Sequence, residues 1–364
     1  MSRRTGSSSV RPRGRPRSSL RNSPPTSARS TSRSSGRLRN ATSSMPGAPS
    51  RRPRRRGRSR PARLTGMTYS IVARDPATGR LGIAVQSHYL VVGPPVVWAD
   101  AGVGAIATQA SVDISFGPIG LELLRNGRSA EKVVAALVAS DTQPEDRQVG
   151  VVDAKGTAAS YTGPRCIPAA GNIAGEGFTV QGNLLERETC WPAMARAYRA
   201  ATDEGLPFAE RLLRALEAAE AEGGDVRGRQ SAAMVIVSGE LQAAGWRGRL
   251  LDLRVDDHPD PVPELRRLVA LHDAYDLLSD EGDAARAGTA ESDRYAEARR
   301  RAPEALELAF WMGVEQALRG EVEAGRQEIQ TAITADARWR TTLEHLATSG
   351  HLGEDPSLLE RLLR

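Results

Sequence analysis

Thr68 is the residue of this chain best equipped to be both nucleophile and base, because Met67 stands directly before it. Translation begun at Met67 would put a small residue second, the situation in which the initiator methionine is trimmed. Thr68 would then carry a free α-amino group beside its own hydroxyl. That amine, with an unperturbed pKa of about 7.7–8.0, takes up the hydroxyl proton near neutral pH. The competing reading is plain: threonine at the head of a strand is a common β-former. A second polar cluster, Gly223-Gly224-Asp225-Val226-Arg227-Gly228-Arg229-Gln230-Ser231, leads into the apolar run Ala232–Val237. Two readings of it stand side by side. Either Asp225 pairs with Arg227 or Arg229 in a solvated loop, or an arginine and Gln230 orient the carboxylate or carbonyl of an acyl substrate. Guanidinium forks suit planar oxyanions.

The elements that must position these residues follow from periodicity. Tyr69, Ile71 and Ala73 fall on one face of a strand, with Ser70, Val72 and Arg74 on the other. Asp75-Pro76-Ala77-Thr78-Gly79 turns the chain into a second strand, Leu81–Ser87, so the pair reads as a hairpin. A third strand spans Gly102–Gln109, and the spacing of Ile119, Leu121, Leu123 and Leu124 opens a helix with Ser115 as its expected cap. A helix over Ala130–Ala139 follows Ser129. Gln148–Asp153 and Thr157–Tyr161 read as a second hairpin, and a glycine-rich third one ends in Phe178–Asn183. Glu188–Ala200 and Pro207–Glu222 are amphipathic helices, and Leu250–Val255 is the closing strand.

The segments MTYSIVARDPATGRLGIAVQS, AGVGAIATQA, RQVGVVDAKG, VQGNLL and GGDVRGRQSAA, in this order over roughly Met67–Asp256, resemble a bacterial family, domain of unknown function 1028, regarded as Ntn-hydrolase-like. The resemblance implies an α+β fold, an Ntn-hydrolase-like four-layer αββα sandwich, and cleavage of a small amide or peptide-like substrate by N-terminal Thr68. It implies oxyanion donors at Thr108, Gln109 or a neighbouring backbone amide. It places Ser87 near the position where threonine-type members tune the amine, often with an acid or a lysine. This chain has Gln86, Ser87 and His88 there instead. Asn172 and Asn183 are further candidates for hydrogen bonds to substrate, beside Asp225, Arg227, Arg229 and Gln230. No cofactor is implied. The alternative is a catalytically inactive scaffold that binds a small ligand or a protein partner.

Charge divides the chain. It carries +6 overall, yet residues 1–66 hold 19 arginines and no Lys, Asp or Glu; removing that 19 leaves −13 for the body. Such an Arg/Ser/Pro-rich leader has too little apolar surface to order itself. It reads as a wrongly assigned start, as a transit-like segment, or as a basic tail that binds nucleic acid if it is translated. No apolar run approaches the roughly 18–20 residues that span a bilayer, and the leader lacks a signal peptide's apolar centre, so a cytoplasmic protein is expected. Cys166 and Cys190 allow at most one disulfide and read as reduced thiols. His88, His258, His272, His345 and His351 are scattered without metal-ligand spacing, so no metal site is expected.

Beyond residue 256 the reading changes. Residues 257–263 are a proline-stiffened linker to an all-α module over 264–364. Leu265–Leu278 is its first helix. Ala305–Arg319 and Val322–Ala335 form a helical hairpin whose Trp311, Gly313, Ala317, Gly320, Ala324 and Ala332 fit a tetratricopeptide-like unit. One such unit seldom stands alone, so it is expected to pack on the first domain or on a partner, with homo-oligomerisation open. The family resemblance attaches a peptidoglycan-binding label to this region, although its charged helix faces carry no glycan-reading signature.

Overall fold

The alternation read at the first strand is kept, and the strand lies inside its sheet, between the strands Leu81–Ser87 and Phe178–Asn183. The computed structural model describes residues 68–243, 245–278 and 291–364; the leader and Met67 lie outside the described residues. β1 (Thr68–Arg74) and β2 (Leu81–Ser87) form an antiparallel hairpin with Thr68 opposite Ser87. β3 (Val97–Asp100), β4 (Gly104–Ala110), β5 (Arg147–Asp153) and β6 (Ala158–Thr162) pair in that order as a four-stranded sheet. β7 (Gly171–Gly175), β8 (Phe178–Asn183), β9 (Ser231–Val237) and β10 (Arg249–Val255) join the first hairpin in a six-stranded sheet of order β10-β9-β2-β1-β8-β7. Every strand pairing named is antiparallel.

Three apolar clusters set the layers. Tyr69, Ile71, Met194, Leu212 and Leu216 pack between the six-stranded sheet and the helices α4 (Cys190–Asp203) and α5 (Phe208–Ala221). Val72, Ile83, Val85, Ala105, Ala107 and Val235 fill the space between the two sheets. Ile106, Leu121, Val133, Leu137 and Val151 lie under α2 (Phe116–Arg125) and α3 (Ala130–Ser140). The order is therefore helices, sheet, sheet, helices. A sheet covered on both faces buries both sides of each inner strand, which is why β2 shows no exposed face.

Several expectations need adjustment. The helix α1 (Gly93–Val96) and the edge strand β3 were not anticipated, because Gly93-Pro94-Pro95 reads as a loop and a half-buried strand of this length carries little periodicity. Ser115 and Ser129 precede their helices but donate to Asp113 and Glu131 rather than cap the backbone. The largest shift concerns the linker. α6 (Pro261–Asp276) starts inside it, with proline in the first turn, where a missing N–H costs nothing. Val262, Leu265 and Val269 are buried in the same cluster as Tyr69 and Met194. The helix expected to open the appended module thus closes the first core.

The remaining described helices are α7 (Glu291–Arg301), α8 (Leu306–Leu318), α9 (Val322–Ala335), α10 (Arg338–Thr348) and α11 (Leu358–Leu363). Phe310, Val314, Ile329, Leu343 and Leu362 make the core shared by α8 to α11, while Ala298 of α7 packs with Ala274 of α6, Ala302 and Leu308. Gly313 and Gly325 belong to the close approach of α8 and α9: a Cβ on Gly313 would sit 2.6 Å from the Gly325 carbonyl oxygen. Among the described residues, no helix is long and apolar enough to cross a membrane.

Asp75 fixes the β1–β2 turn from inside the protein. Its carboxylate accepts from Thr78 Oγ1 at 2.5 Å and from Arg211 NH1 of α5 at 3.0 Å. Both side chains of the ion pair are largely buried. Arg211→Ala leaves the carboxylate buried without its cation and is expected to cost roughly 3–5 kcal/mol, read as a lowered midpoint in urea unfolding followed by circular dichroism.

Candidate active site

Pairing register brings the ends of several strands together at one edge of the sandwich. Thr68 lies opposite Ser87 on β2 and opposite Asn183 on β8. It is only 1 % exposed. Its Oγ1 donates to Ser87 Oγ at 3.2 Å. Its carbonyl oxygen accepts from Gln109 Nε2 at 3.1 Å and from Asn183 Nδ2 at 3.4 Å. These two donors come from opposite sheets, so Thr68 is held from both sides.

Behind Thr68 the interior between the sheets is polar. Gln109 Nε2 and Asn183 Nδ2 both donate to Gln148 Oε1, at 2.7 and 2.9 Å. Gln148 Nε2 donates in turn to the Gly182 carbonyl and to Thr162 Oγ1, each at 2.8 Å. Ser70 Oγ donates to Gln109 Oε1 at 2.6 Å and accepts from Gln181 Nε2 at 2.6 Å. Gln181 Oε1 accepts from Thr179 Oγ1 at 3.1 Å. Buried amides are costly unless each partner is met, and these amides meet theirs with one another. The result is a rigid polar lattice.

Other expected site residues lie elsewhere or are already engaged. Thr108 points to the opposite face of β4, beside Ile106, and its Oγ1 donates to the Asp113 carbonyl at 3.3 Å. Gln109 reaches Thr68, and its Nε2 donates to the Thr68 carbonyl and to Gln148. Asn172 bridges Ser160 and Thr162, at 2.8 and 2.6 Å, between β6 and β7. Asp225 is buried, accepts from the His88 backbone at 2.9 Å and binds the Arg227 guanidinium at 2.9 Å. Arg229 pairs with Glu220 and Asp260, and Gln230 donates to Asp257 at 3.1 Å. The charges of the loop are thus ion-paired, with Asp225 buried rather than solvated.

A cavity of about 30 Å³ opens at Thr68. Thr68, Tyr89, Val92, Pro95, Val96, Gln109, Ala110 and Val112 line it. Three non-glycine residues around this edge adopt left-handed backbone: Val91 (φ 59°), Ala110 (φ 65°) and Leu184 (φ 48°). Ala110 lines the cavity, Val91 lies between two lining residues, and Leu184 follows Asn183. Strain of about 1–3 kcal/mol per residue tends to gather at functional sites. A larger cavity of about 340 Å³, with Leu271, Tyr275 and Trp339 among its walls, lies in the helical region away from this lattice.

Neither thiol competes as nucleophile. Both are free and buried, and burial pushes Cys166 up to about 11 and raises Cys190 as well. They stay protonated at neutral pH. Among the described residues, no group of His, Cys, Asp and Glu is placed to hold a metal ion.

The model of a family described as "Family of unknown function (DUF1028)" matches residues 68–265. The chain belongs to that family. The crystal structure of protein SPO2555 from Silicibacter pomeroyi, of the same DUF1028 family, is 31% identical, with a TM-score of 0.51 and coverage of 60% of this chain and 92% of that one. No curated protein matches.

In this DUF1028 domain, Gln148 and Gln181 are site residues that sequence reasoning missed. The signal was present: both are uncharged amides inside otherwise strand-like runs, RQVGVVD and FTVQGN, next to valines or glycine. Glutamine is rare in a fully buried strand unless paired. Gln148→Leu keeps the volume but leaves the Gln109 and Asn183 amides short of an acceptor. Each orphaned donor costs about 1–3 kcal/mol, so a loss of roughly 2–6 kcal/mol is expected in denaturant unfolding, with Thr68 loosened in proportion.

Proposed function

We propose that this chain is an N-terminal-nucleophile amide hydrolase, with Thr68 as nucleophile and its own α-amine as base, on a sandwich of the Ntn-hydrolase type. One observation carries the reading: the hydroxyl-bearing residue at the head of an interior strand opens onto a cavity, while its carbonyl is clamped by amides from both sheets. The family match beginning at Thr68, directly after Met67, supports the reading.

In this scheme the amine removes the Thr68 hydroxyl proton as Oγ1 attacks the substrate carbonyl. The tetrahedral adduct collapses with cleavage of the C–N bond, and the ammonium returns its proton to the departing amine. Water, deprotonated by the same amine, then attacks the threonyl ester, releases the acid and restores Thr68. Ser87 holds the hydroxyl in line. The oxyanion donor is a backbone amide near Ala110, since the side chains of Gln109 and Asn183 are engaged.

A second reading has its own support. Thr68 hydrogen-bonds through its side chain to Ser87 alone among the described residues, with no lysine or acid beside it. A scaffold that binds a small ligand or protein partner, with the helical region as a further partner surface, needs no such tuning.

Removal of the peptide bond before Thr68 is the condition for activity. A chain begun at Met67 is expected to lose its methionine, seen by intact mass, and to hydrolyse members of an amide panel. Thr68→Ala is expected to lower the rate by at least about a hundredfold, since nucleophile and base act as one unit. Persistence of activity in that variant refutes the scheme. The base is the uncharged amine, and burial favours that form. The rate is therefore expected to be flat at high pH and to fall as pH drops through a midpoint at or below about 8.

A further inference from the structure

We infer that the amide brought to Thr68 is uncharged and apolar on both sides, a short aliphatic acyl group joined to a hydrocarbon amine. This rests on the reading of Thr68 as nucleophile and narrows it to a substrate class. The acyl side follows from the cavity. Apart from Thr68 and Gln109 its lining is aliphatic or aromatic, and no carboxylate or cation contributes to it. Its volume, about 30 Å³, is about twice the roughly 10–15 Å³ of probe space that one water requires. That is room for a short acyl chain and no bulky group. A charged group forced into such walls loses its hydration with nothing to replace it.

The amine side must leave towards solvent, because water takes its place in the second half of the reaction. The surface at that edge is unusually apolar. Tyr89, Leu90, Ile114, Ile167 and Val226 are 39–54 % exposed. All lie on loops at the Thr68 end of the sandwich. Tyr89 and Leu90 follow β2. Ile114 follows the cavity residue Val112. Ile167 and Val226 are tied to the chain beyond Asn183, the Leu184 amide donating to the Ile167 carbonyl and the Val226 amide to the Leu184 carbonyl. Exposed apolar side chains gathered at a site mark a binding surface.

Three arginines near this edge are already paired. Asp225 holds Arg227, and Glu220 with Asp260 holds Arg229. Arg147, at the head of β5, is paired with Asp141. An anionic amide that drew on one of these arginines would have to break its pair.

The test uses N-hexylacetamide, N-hexylsuccinamic acid and N-acetylagmatine, which share an amide but differ in charge. Binding is measured by calorimetry on the full chain and on the chain begun at Met67, and amine release is measured on the latter. N-hexylacetamide is expected to bind at least about tenfold tighter than either charged amide. Leu90→Glu, a change on the surface, is expected to weaken it about fivefold or more without moving the melting temperature. Val96→Ala is expected to shift preference from acetyl towards butyryl. Equal or tighter binding of a charged amide, or no binding of any of the three, overturns the inference. Should the apolar amide bind selectively and never be cleaved, the substrate class stands and the nucleophile reading falls. Should only a charged amide be cleaved, the nucleophile reading stands and the class falls.

Discussion

Two sheets stacked face to face ordinarily meet through hydrocarbon, and half of this interface does. The other half is built of amides. Gln148 stands at its centre, accepting from Gln109 of its own sheet and from Asn183 of the facing one, and donating back to the Gly182 backbone. Each of these groups would be destabilising alone. Together they are satisfied, and satisfaction requires one register and one separation of the sheets. Apolar contact tolerates sliding; hydrogen bonds between fixed amides do not. The position of Thr68 depends on this constraint, because the same amides terminate on its carbonyl.

That dependence explains how the site is made without charge. Many hydrolytic centres place an acid or a lysine beside the nucleophile to set its proton affinity. Here the neighbours of Thr68 are a serine hydroxyl and two amides. Neutral donors and acceptors fix the orientation of Thr68 without placing a charge beside it. Backbone strain at Val91, Ala110 and Leu184 surrounds the same edge. A lattice stiff enough to hold such conformations also holds a small cavity open beside the hydroxyl.

Much of the scaffold was legible from local pattern. The β1–β2 hairpin, its Asp-Pro turn, the strand ending in Gln109 and the two helices packed over Tyr69 all follow from apolar spacing and turn chemistry. What misled was ambiguity of the same kind. Asp260-Pro261-Val262-Pro263 reads as a stiff linker, yet prolines are equally at home in a helix's first turn, and only burial of Val262 and Leu265 decides between them. The charged loop around Asp225 gave two readings with one sequence. The structure shows the Asp225 carboxylate buried and paired with an arginine.

By itself the sequence determined that a small hydroxyl residue heads a strand directly after a methionine, that the acidic body is joined to a basic leader, and that neither acid nor lysine sits beside that residue in the chain. Only the tertiary structure decided that Gln148 and Gln181 meet Ser70, Gln109 and Asn183, that Thr108 faces away, and that α6 closes the first core. The reason is range. Strand period and turn chemistry act over a few residues and are written locally, whereas a hydrogen bond between facing sheets depends on register and stacking set by the whole fold.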